Sequence, residues 1–386
     1  MDDIVMTTDE VQRRLILHKD WVPCKAAFVD CKTPGSDQKD NYSFIGLGVA
    51  QNSDQFINLQ EPHGFSLGAA GMPKGVTNSL HLHFTAEVFI NFDGDYRLRW
   101  GADGTDGEYV STDGDVISVP PWIFRGFTNI GSDDGILLTV LGRDETGGII
   151  WGPSVLKEAA GYGLYLTADN QLVDTEAGDQ LPPDDQLIKP MQQSEIDQLT
   201  SYSAADFATR VVRADDRRWI SQPFLTSRLP GGAAQLCLVI GYGMAETRHD
   251  APRLQEPHSF NLAWLRAQAG DGMLRHRHQH TQVVTVRSGR WRITVNAGAE
   301  ERAVELGPRD SFSVPPQVWR SMTLLEPPAG NDTEYGELLV VNGGDDRVIL
   351  EWDAQLVSDA RAAGVVIDPD GYTAPASVLA AATADD

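Results

Sequence analysis

Repeated segments that keep a fixed register constrain the fold of this chain more than any other feature. The sequence Leu-Gln-Glu-Pro-His at residues 59–63 occurs again at 254–258, and the His-x-His pair at 81–83 occurs again at 276–278. Both matches are separated by 195 positions, since 254 minus 59 equals 276 minus 81. The sequence Ser-Val-Pro-Pro also occurs twice with this separation. Chance does not keep one register across three motifs, so the chain contains one module in two copies.

Length and charge restrict the class of protein. A chain of 386 residues is long for one hydrophobic core, and 41% hydrophobic residues allow each of two modules to bury its own. The formal net charge of −24 argues against nucleic-acid and anionic membrane partners, because phosphate recognition needs Lys and Arg. Cys24, Cys31 and Cys237 do not form a disulfide framework, and the N-terminus has no basic region followed by an apolar run. We therefore expect a cytoplasmic protein.

Short apolar segments separated by Gly and Pro make up most of each half. Residues 87–92 and 282–286 are examples of predicted strands, and Asp93-Gly94 fits a hairpin turn. Many short strands of this kind indicate a sandwich or a barrel. A helical stretch closes each copy at a glycine that suits a helix C-cap. The sequence therefore predicts an all-β fold with a few short flanking helices.

The repeat also suggests domain boundaries. We predict an N-terminal arm over residues 1–20, a first domain over 21–166, a linker over 167–204, a second domain over 205–367 and a C-terminal tail over 368–386. The linker assignment depends on the polar, Pro-containing sequence at 181–185. After the Ser-Val-Pro-Pro motif the separation of the copies grows to 201 positions, the difference between Trp352 and Trp151. Such an insertion is typical of a surface loop.

The strongest candidates for chemistry are His81, His83 and Glu87. Side chains alternate along a strand, so positions that differ by an even number share a face, and a turn near 84–86 would let all three converge inside a barrel. Two imidazoles and one carboxylate leave about half the positions of an octahedral metal open, as in non-haem Fe(II) oxygenases. Open positions let O₂ or substrate bind the metal directly. We therefore predict a metal site at these three residues.

The spacing around these residues resembles the first motif of the cupin family. Its anchor positions are occupied by Gly75, His81, His83, Glu87 and Gly94. The second motif is matched by Gly114, Pro120 and Asn129. The resemblance covers about residues 40–152 and 235–352, and it implies a bicupin with two tandem double-stranded β-helix (jelly-roll) barrels. Because cupins include enzymes, storage proteins and regulators, the resemblance implies a fold more strongly than a reaction.

One position departs from the family pattern. The second motif normally supplies a further histidine ligand, and this chain has Arg125 there, with Arg320 in the second copy. Arginine stays protonated and cannot ligate a metal, but its forked donors match a carboxylate. Two alternatives follow. Arg125 holds a substrate carboxylate or enolate beside the metal, or it forms a salt bridge with Glu87 in a metal-free barrel.

In the second copy, four polar residues share strand parity. They are His276, His278, His280 and Gln282. A second metal site with three imidazoles is one hypothesis. The alternative is a degenerate site, because Gln282 replaces the carboxylate that compensates the charge of a divalent cation and Arg320 adds a positive charge. We expect the second domain to contain the degenerate site.

Aromatic residues lie close to the first motif in the sequence. Phe89, Trp100 and Trp122 are candidates for substrate binding, and packing in the core is the alternative. If they line the cavity, the substrate is aromatic or otherwise apolar with one anionic group.

His63 and His258 occupy the repeated Glu-Pro-His-x-Phe motif. They are candidates for acid–base or supporting groups beside each site, as is Arg320 in the second copy. The alternative for both histidines is a structural role in a turn.

Together these features favour a metal-dependent oxidoreductase. The chain distantly resembles gentisate-type dioxygenases, which implies Fe(II) on the three ligands and a small aromatic or hydroxy-acid substrate, with a carboxylate, bound directly to the metal. Mn, Ni, Zn, Co and Cu are alternative metals. The alternative functions are a non-catalytic small-molecule-binding or storage-like bicupin and a metal-dependent isomerase, lyase or decarboxylase. In every case we expect a homo-oligomer, a dimer or larger.

Overall fold

The structure, a computed structural model, describes residues 4–330 and 333–378. It contains two compact units. One comprises Val22–Asp216 and is called the first barrel; the other combines Met1–Trp21 with Arg217–Asp386 and is called the second barrel. Within the described ranges, no helix is long and apolar enough to cross a membrane.

Two sheets build the first barrel. The seven-stranded sheet contains, in spatial order, Val211–Val212, Val116–Val119, Glu87–Asp93, Gly135–Gly142, Phe65–Met72, Asp40–Ile45 and Ile57–Leu59. The five-stranded sheet contains Ile149–Trp151, Thr77–His83, Arg125–Asn129, Tyr96–Trp100 and Gly107–Ser111. Neighbouring strands are antiparallel, except that the last two strands of the larger sheet are parallel.

The core of the first barrel lies between its two sheets. In Tyr96–Trp100 the first, third and fifth side chains are buried, because the period of two directs them to one face. Phe89 of the larger sheet packs edge-to-face on Phe127 of the smaller one, with ring centroids 4.9 Å apart. Ile117 and Leu98 belong to the same cluster. Burial between facing sheets therefore stabilises this unit.

The second barrel repeats this arrangement. Its six-stranded sheet contains, in spatial order, Leu15–Ile16, Ser311–Val314, Gln282–Ser288, Gly336–Gly343, Phe260–Ala267 and Gln235–Ile240. Its five-stranded sheet contains Arg302–Leu306, Arg290–Val295, Arg320–Glu326, Gly272–Arg277 and Glu351–Trp352. Both units are jelly-roll barrels, so the predicted all-β fold with two tandem barrels is confirmed.

Short helices and hairpins flank the barrels. The α-helices are Thr8–Arg13, Pro153–Ala160, Gln193–Ile196, Ala204–Ala208 and Ala354–Ala362. The 3₁₀ turns are His18–Asp20, Asp184–Gln186, Ala214–Asp216 and Gly298–Glu300. The two-stranded hairpins pair Leu164–Leu166 with Leu172–Asp174 and Val365–Ile367 with Thr373–Pro375.

The N-terminal segment packs within the second barrel. Thr7 caps the helix Thr8–Arg13 in a capping box with Glu10. Leu15–Ile16 then pairs with the edge strand Ser311–Val314. The predicted arm thus adds a strand to the larger sheet of the second barrel and covers an edge of it.

The segment predicted as a linker is folded into the first barrel. Leu172–Asp174 forms a hairpin there, and the helix Ala204–Ala208, which lies at the predicted start of the second domain, also belongs to the first barrel and carries the fully buried Phe207. Phe207 stacks on Trp100 with ring centroids 4.2 Å apart, and the Trp100 indole donates to the Tyr202 carbonyl. The segment predicted as a tail contains the strand Thr373–Pro375, which pairs with Val365–Ile367, and its residues 379–386 lie outside the described residues.

Candidate metal centre

Both sheets of the first barrel contribute to the centre. His81 and His83 end the strand Thr77–His83, and Glu87 begins the strand Glu87–Asp93 of the opposite sheet. The short turn between them brings the three side chains together, and all three are buried. One ligand atom from each lies within 4.8 Å of the other two. The structure therefore brings together the three predicted metal ligands.

Backbone carbonyls orient both imidazoles. His81 Nδ1 lies 2.7 Å from the Ser79 carbonyl, and His83 Nδ1 lies 3.4 Å from the Gly148 carbonyl. A carbonyl accepts, so each Nδ1 carries the proton and each Nε2 has a free lone pair. His83 Nε2 has no hydrogen-bond partner among the described protein atoms. Histidines that ligate metals usually have this arrangement, so the residues fit a divalent metal.

Burial and nearby charge also keep the three ligands in the protonation states that bind metal. Burial lowers the pKa of His81 and of His83, and the Arg125 guanidinium lowers both further, so the imidazoles are neutral. Burial alone would raise the pKa of Glu87, but the neighbouring Arg125 holds it far below the usual range for a carboxyl. The carboxylate is therefore ionised at neutral pH.

Arg125 forms a salt bridge with Glu87. Its Nε and Nη2 atoms donate to Glu87 Oε2 at 3.1 and 2.6 Å, and Nη1 donates to the carbonyls of His81 and Ile123. The ion pair that the second alternative for Arg125 requires is therefore present. The other carboxylate oxygen, Oε1, lies 3.6 Å from His83 Nε2, which is too long for a hydrogen bond. Oε1 thus remains available beside the two free imidazole nitrogens.

The three ligands line a cavity of about 60 Å³ inside the first barrel. Its apolar wall includes Phe28, Leu47, Val49, Leu67, Phe127 and Ile149. A buried cation, Lys39, also lines it and forms an ion pair with Asp30 at 3.0 Å and a hydrogen bond with Asn78. The cavity wall therefore combines apolar side chains with polar groups, which include the three ligands, Lys39 and Asn78.

The aromatic residues proposed for substrate binding lie elsewhere. Trp100 is fully buried against Phe207, and Phe89 packs in the core on Phe127. Trp122 is 45% exposed and packs on Phe84. The side chains of Phe89, Trp100 and Trp122 are thus used in packing, the alternative that the sequence left open, and they do not line the cavity.

His63 and His258 hold equivalent turns. The Nδ1 atom of His63 lies 2.7 Å from the Glu61 carbonyl, and its backbone N–H donates to Asp144. His258 makes the corresponding contacts with Glu256 and Asp345. Each ring also packs edge-to-face on the phenylalanine two residues later. These contacts give both histidines the structural role in a turn.

The second barrel does not bring its histidines together in the same way. Within residues 4–330 and 333–378, the only group of three His, Cys, Asp or Glu ligand atoms close enough for a metal is the one in the first barrel. His280 Nδ1 contacts the Gly343 carbonyl at 2.6 Å, and Gln282 donates to Asn342. His278 faces Arg320 Nη1 at 3.3 Å. The hypothesis of a second metal site at His276, His278, His280 and Gln282 is therefore not supported by this geometry.

Three residues near the metal centre were missed in the sequence. Lys39, Asp30 and Asn78 form a buried cluster beside His81, and Asp30 also accepts the Ser79 backbone N–H. A Lys–Asp pair nine residues apart has no periodicity to distinguish it from surface charges. The carbonyls that orient the histidines are equally invisible, because any residue has one.

Comparisons with known proteins agree with this description. Residues 263–326 match the family model described as a cupin domain. No curated protein matches the chain by sequence. Among solved structures, the formate complex of Lactobacillus farciminis oxalate decarboxylase is 11% identical, with a TM-score of 0.55 and coverage of 92% of each chain.

Two further structures are similar. A deletion variant of Bacillus subtilis oxalate decarboxylase is 14% identical with a TM-score of 0.51, covering 89% of this chain and 80% of that one. Vicilin from Capsicum annuum is 10% identical with a TM-score of 0.51, covering 88% of each chain. At these identities the likeness concerns the fold, which an enzyme and vicilin share. The chain thus has the bicupin fold of two tandem jelly-roll barrels, and residues 263–326 of its second barrel match a cupin domain.

Proposed function

We propose that this bicupin is a metal-dependent oxidoreductase whose first barrel acts on a small carboxylate substrate, most simply as an Fe(II) dioxygenase. The observation that supports it is the set of metal-competent atoms at one end of the cavity: two imidazole Nε2 atoms and Glu87 Oε1. A bound Fe(II) would supply open positions for substrate and O₂. Mn, Ni, Zn, Co and Cu fit the same ligands.

The residues of the chain have separate tasks in this proposal. The Ser79 and Gly148 carbonyls fix the ring orientation of His81 and His83, and Arg125 keeps Glu87 ionised. The apolar wall excludes water, which strengthens electrostatic interactions with the substrate. Because Arg125 is paired with Glu87 and Lys39 with Asp30, the open positions of the metal would have to hold a substrate carboxylate.

The volume of the cavity limits the size of the substrate. The cavity volume of about 60 Å³ corresponds to roughly four to six water molecules at about 10–15 Å³ each. An aliphatic hydroxy acid of two to four carbons fits this space better than an aromatic ring does. Of the two substrate classes that the sequence suggested, we therefore favour the small hydroxy acids.

Oxygen consumption tests the proposal. Protein reconstituted with Fe(II) under argon is mixed with a panel of small hydroxy acids and aromatic hydroxy acids, and O₂ uptake is followed with an electrode. We expect uptake with at least one small acid, its loss in His81→Ala, and its persistence in His276→Ala, the matched change at the equivalent position of the second barrel. Substrate turnover without O₂ would instead indicate a metal-dependent isomerase, lyase or decarboxylase.

A non-catalytic binding or storage-like role is the second candidate. It is favoured by the buried Glu87–Arg125 pair, which leaves the first barrel electrically balanced without a metal. This candidate predicts protein that folds fully after chelation, binds no stoichiometric metal and turns over none of the acids.

We also propose self-association as a dimer or a larger homo-oligomer. Ile4 and Val5 are 49% and 44% exposed near the N-terminus, an arrangement that leaves apolar surface for a second copy. Light scattering coupled to size exclusion measures the mass directly, and a mass near 42.2 kDa would contradict this proposal.

A further inference from the structure

Arg320 is a fully buried cation in the second barrel without an anionic partner. Its exposed fraction is 0%, and none of the described carboxylates lies within ion-pair distance of it. Its contacts are with neutral groups: Nε donates to the Val318 carbonyl, Nη2 to the Pro315 carbonyl, and Nη1 faces His278. The two carbonyl contacts use two of the five N–H groups of the guanidinium. A buried charge without a counterion is strongly destabilising, so a compensating anion would bind here favourably.

Comparison with the first barrel shows which counterion Arg320 lacks. Arg125 and Arg320 correspond at the separation of 195, and each is paired in its ladder with the first histidine of its His-x-His motif. Arg125 is neutralised by Glu87, and the position equivalent to Glu87 is Gln282. The second barrel has therefore kept the cation and replaced its counterion by a neutral amide.

His278 adds a second donor to this site. Its Nδ1 accepts the backbone N–H of His280 at 3.2 Å, so the single proton of the neutral ring is on Nε2. That Nε2–H then faces Arg320 Nη1 at 3.3 Å, and two donors point toward each other. An anion against both groups would accept from each of them.

Two buried acceptors complete the site. His276 Nδ1 lies 2.8 Å from the Leu274 carbonyl, so Nε2 has the lone pair. That Nε2 and Gln282 Oε1 are both without a hydrogen-bond partner among the described protein atoms. A ligand hydroxyl next to the carboxylate would donate to such an acceptor. The second barrel thus offers two donors to a carboxylate and two acceptors to a hydroxyl.

We propose that the second barrel binds a small hydroxy carboxylate, with its carboxylate on Arg320 and His278 and its hydroxyl on His276 or Gln282. The site needs no metal and does not depend on the function proposed for the first barrel. It assigns a ligand to the barrel whose metal ligands are incomplete.

Calorimetric titration of the chelated full-length protein with glycolate tests the proposal. We expect one glycolate per chain, weaker binding of acetate, which lacks the hydroxyl, and no binding of the neutral glycolamide. In Gln282→Glu the new carboxylate would pair with Arg320 as Glu87 does with Arg125. Glycolate affinity would then fall about tenfold or more, while the melting temperature without ligand rises.

Two further variants locate the site. Arg320→Lys keeps the charge but loses the forked donors, so it folds and binds glycolate about tenfold more weakly. Glu87→Gln, the matched change in the first barrel, removes the counterion of Arg125 in the same way, so it should keep the Arg320 site and add a second glycolate per chain. No glycolate binding at millimolar concentration, equal binding by wild type and Gln282→Glu, or loss of binding in Glu87→Gln alone would overturn the proposal.

Discussion

At the scale of single residues, Arg125 sets the charge of the first barrel. Its salt bridge compensates a buried carboxylate that would otherwise be isolated at the end of the cavity. A bound divalent metal would compensate the same carboxylate from the other oxygen. Arg125 and the metal are therefore two sources of charge compensation for Glu87.

Replacing Arg125 by methionine tests this view. Removal of one partner of a buried ion pair leaves an uncompensated charge, so the free energy of unfolding of metal-free protein should fall by about 3–5 kcal/mol. Added divalent metal should then stabilise Arg125→Met more than it stabilises wild type. Urea denaturation with and without metal measures both effects. If metal stabilised Arg125→Met and wild type equally, Arg125 and the metal would not be alternative sources of charge compensation for Glu87.

Glu246 makes stability depend on pH in the second barrel. It accepts from the Trp352 indole at 2.8 Å and from the Leu225 backbone N–H at 2.6 Å. In the first barrel, Gln51 accepts the equivalent bonds from Trp151 and Val29, and 246 minus 51 equals the repeat separation of 195. A carboxyl thus occupies a position that suits a neutral group, and burial raises its pKa from 4.5 to about 7.

The sign of the effect follows from proton binding. Between pH 4.5 and about 7 the folded protein keeps the Glu246 proton and the unfolded chain releases it, so stability falls as pH rises. The loss is roughly 3 kcal/mol at complete ionisation. We expect the stability of Glu246→Gln relative to wild type to rise between pH 4.5 and 8 in urea denaturation, because the contribution of Glu246 is removed, and Glu158→Gln, at an exposed position, to show no such pH-dependent difference. A steep fall that persists in Glu246→Gln would exclude Glu246 as its source.

At the scale of elements, the helix Ala204–Ala208 fastens the segment after the first domain to the first barrel. Phe207 is buried against Trp100, and the neighbouring Tyr202 carbonyl accepts the Trp100 indole N–H. Phe207→Ala should lower the free energy of unfolding by about 3–5 kcal/mol through the cavity it leaves. Phe56→Ala, at a 47% exposed position of the same barrel, is the control and should change it by about 0.5 kcal/mol or less. An equal loss of unfolding free energy in Phe207→Ala and Phe56→Ala would contradict the packing of Phe207 on Trp100.

The same elements show what a sequence can and cannot predict. The strands Glu87–Asp93 and Gln282–Ser288 and the turn between His83 and Glu87 were predictable, because alternation and the repeat register are local patterns. The docking of Phe207 on Trp100 was not, because a polar, Pro-containing segment carries no period that identifies its partner. Contacts between residues this distant in sequence depend on the folded barrel, and for that reason the sequence left open whether the aromatic residues line a pocket or pack in the core.

The residues of the candidate site also fall into those that the sequence predicts and those that only the folded structure brings together. Its ligands His81, His83 and Glu87 follow from spacing, since only same-parity positions share a face. The pairing of Arg125 with Glu87 depends on the ladder that places Arg125 opposite His81, which spacing along one strand does not contain. The buried Lys39–Asp30 pair is likewise a product of three-dimensional packing.

At the scale of the whole molecule, duplication has produced two barrels of different chemistry. Both contain a His-x-His pair and a buried arginine, and both hold a histidine turn at the start of a strand. The first barrel pairs its arginine with Glu87, while the second leaves Arg320 beside Gln282. We infer that one glutamate separates a metal-binding barrel from an anion-binding one.

Metal stoichiometry tests this central claim most directly. Full-length protein is reconstituted with Fe(II), freed of excess metal and measured by elemental analysis, together with Glu87→Ala and the matched second-barrel variants His276→Ala and Gln282→Ala. The account predicts one metal per chain in wild type and in both second-barrel variants, and its loss in Glu87→Ala. Two metals per chain, or a full metal content in Glu87→Ala, would contradict it.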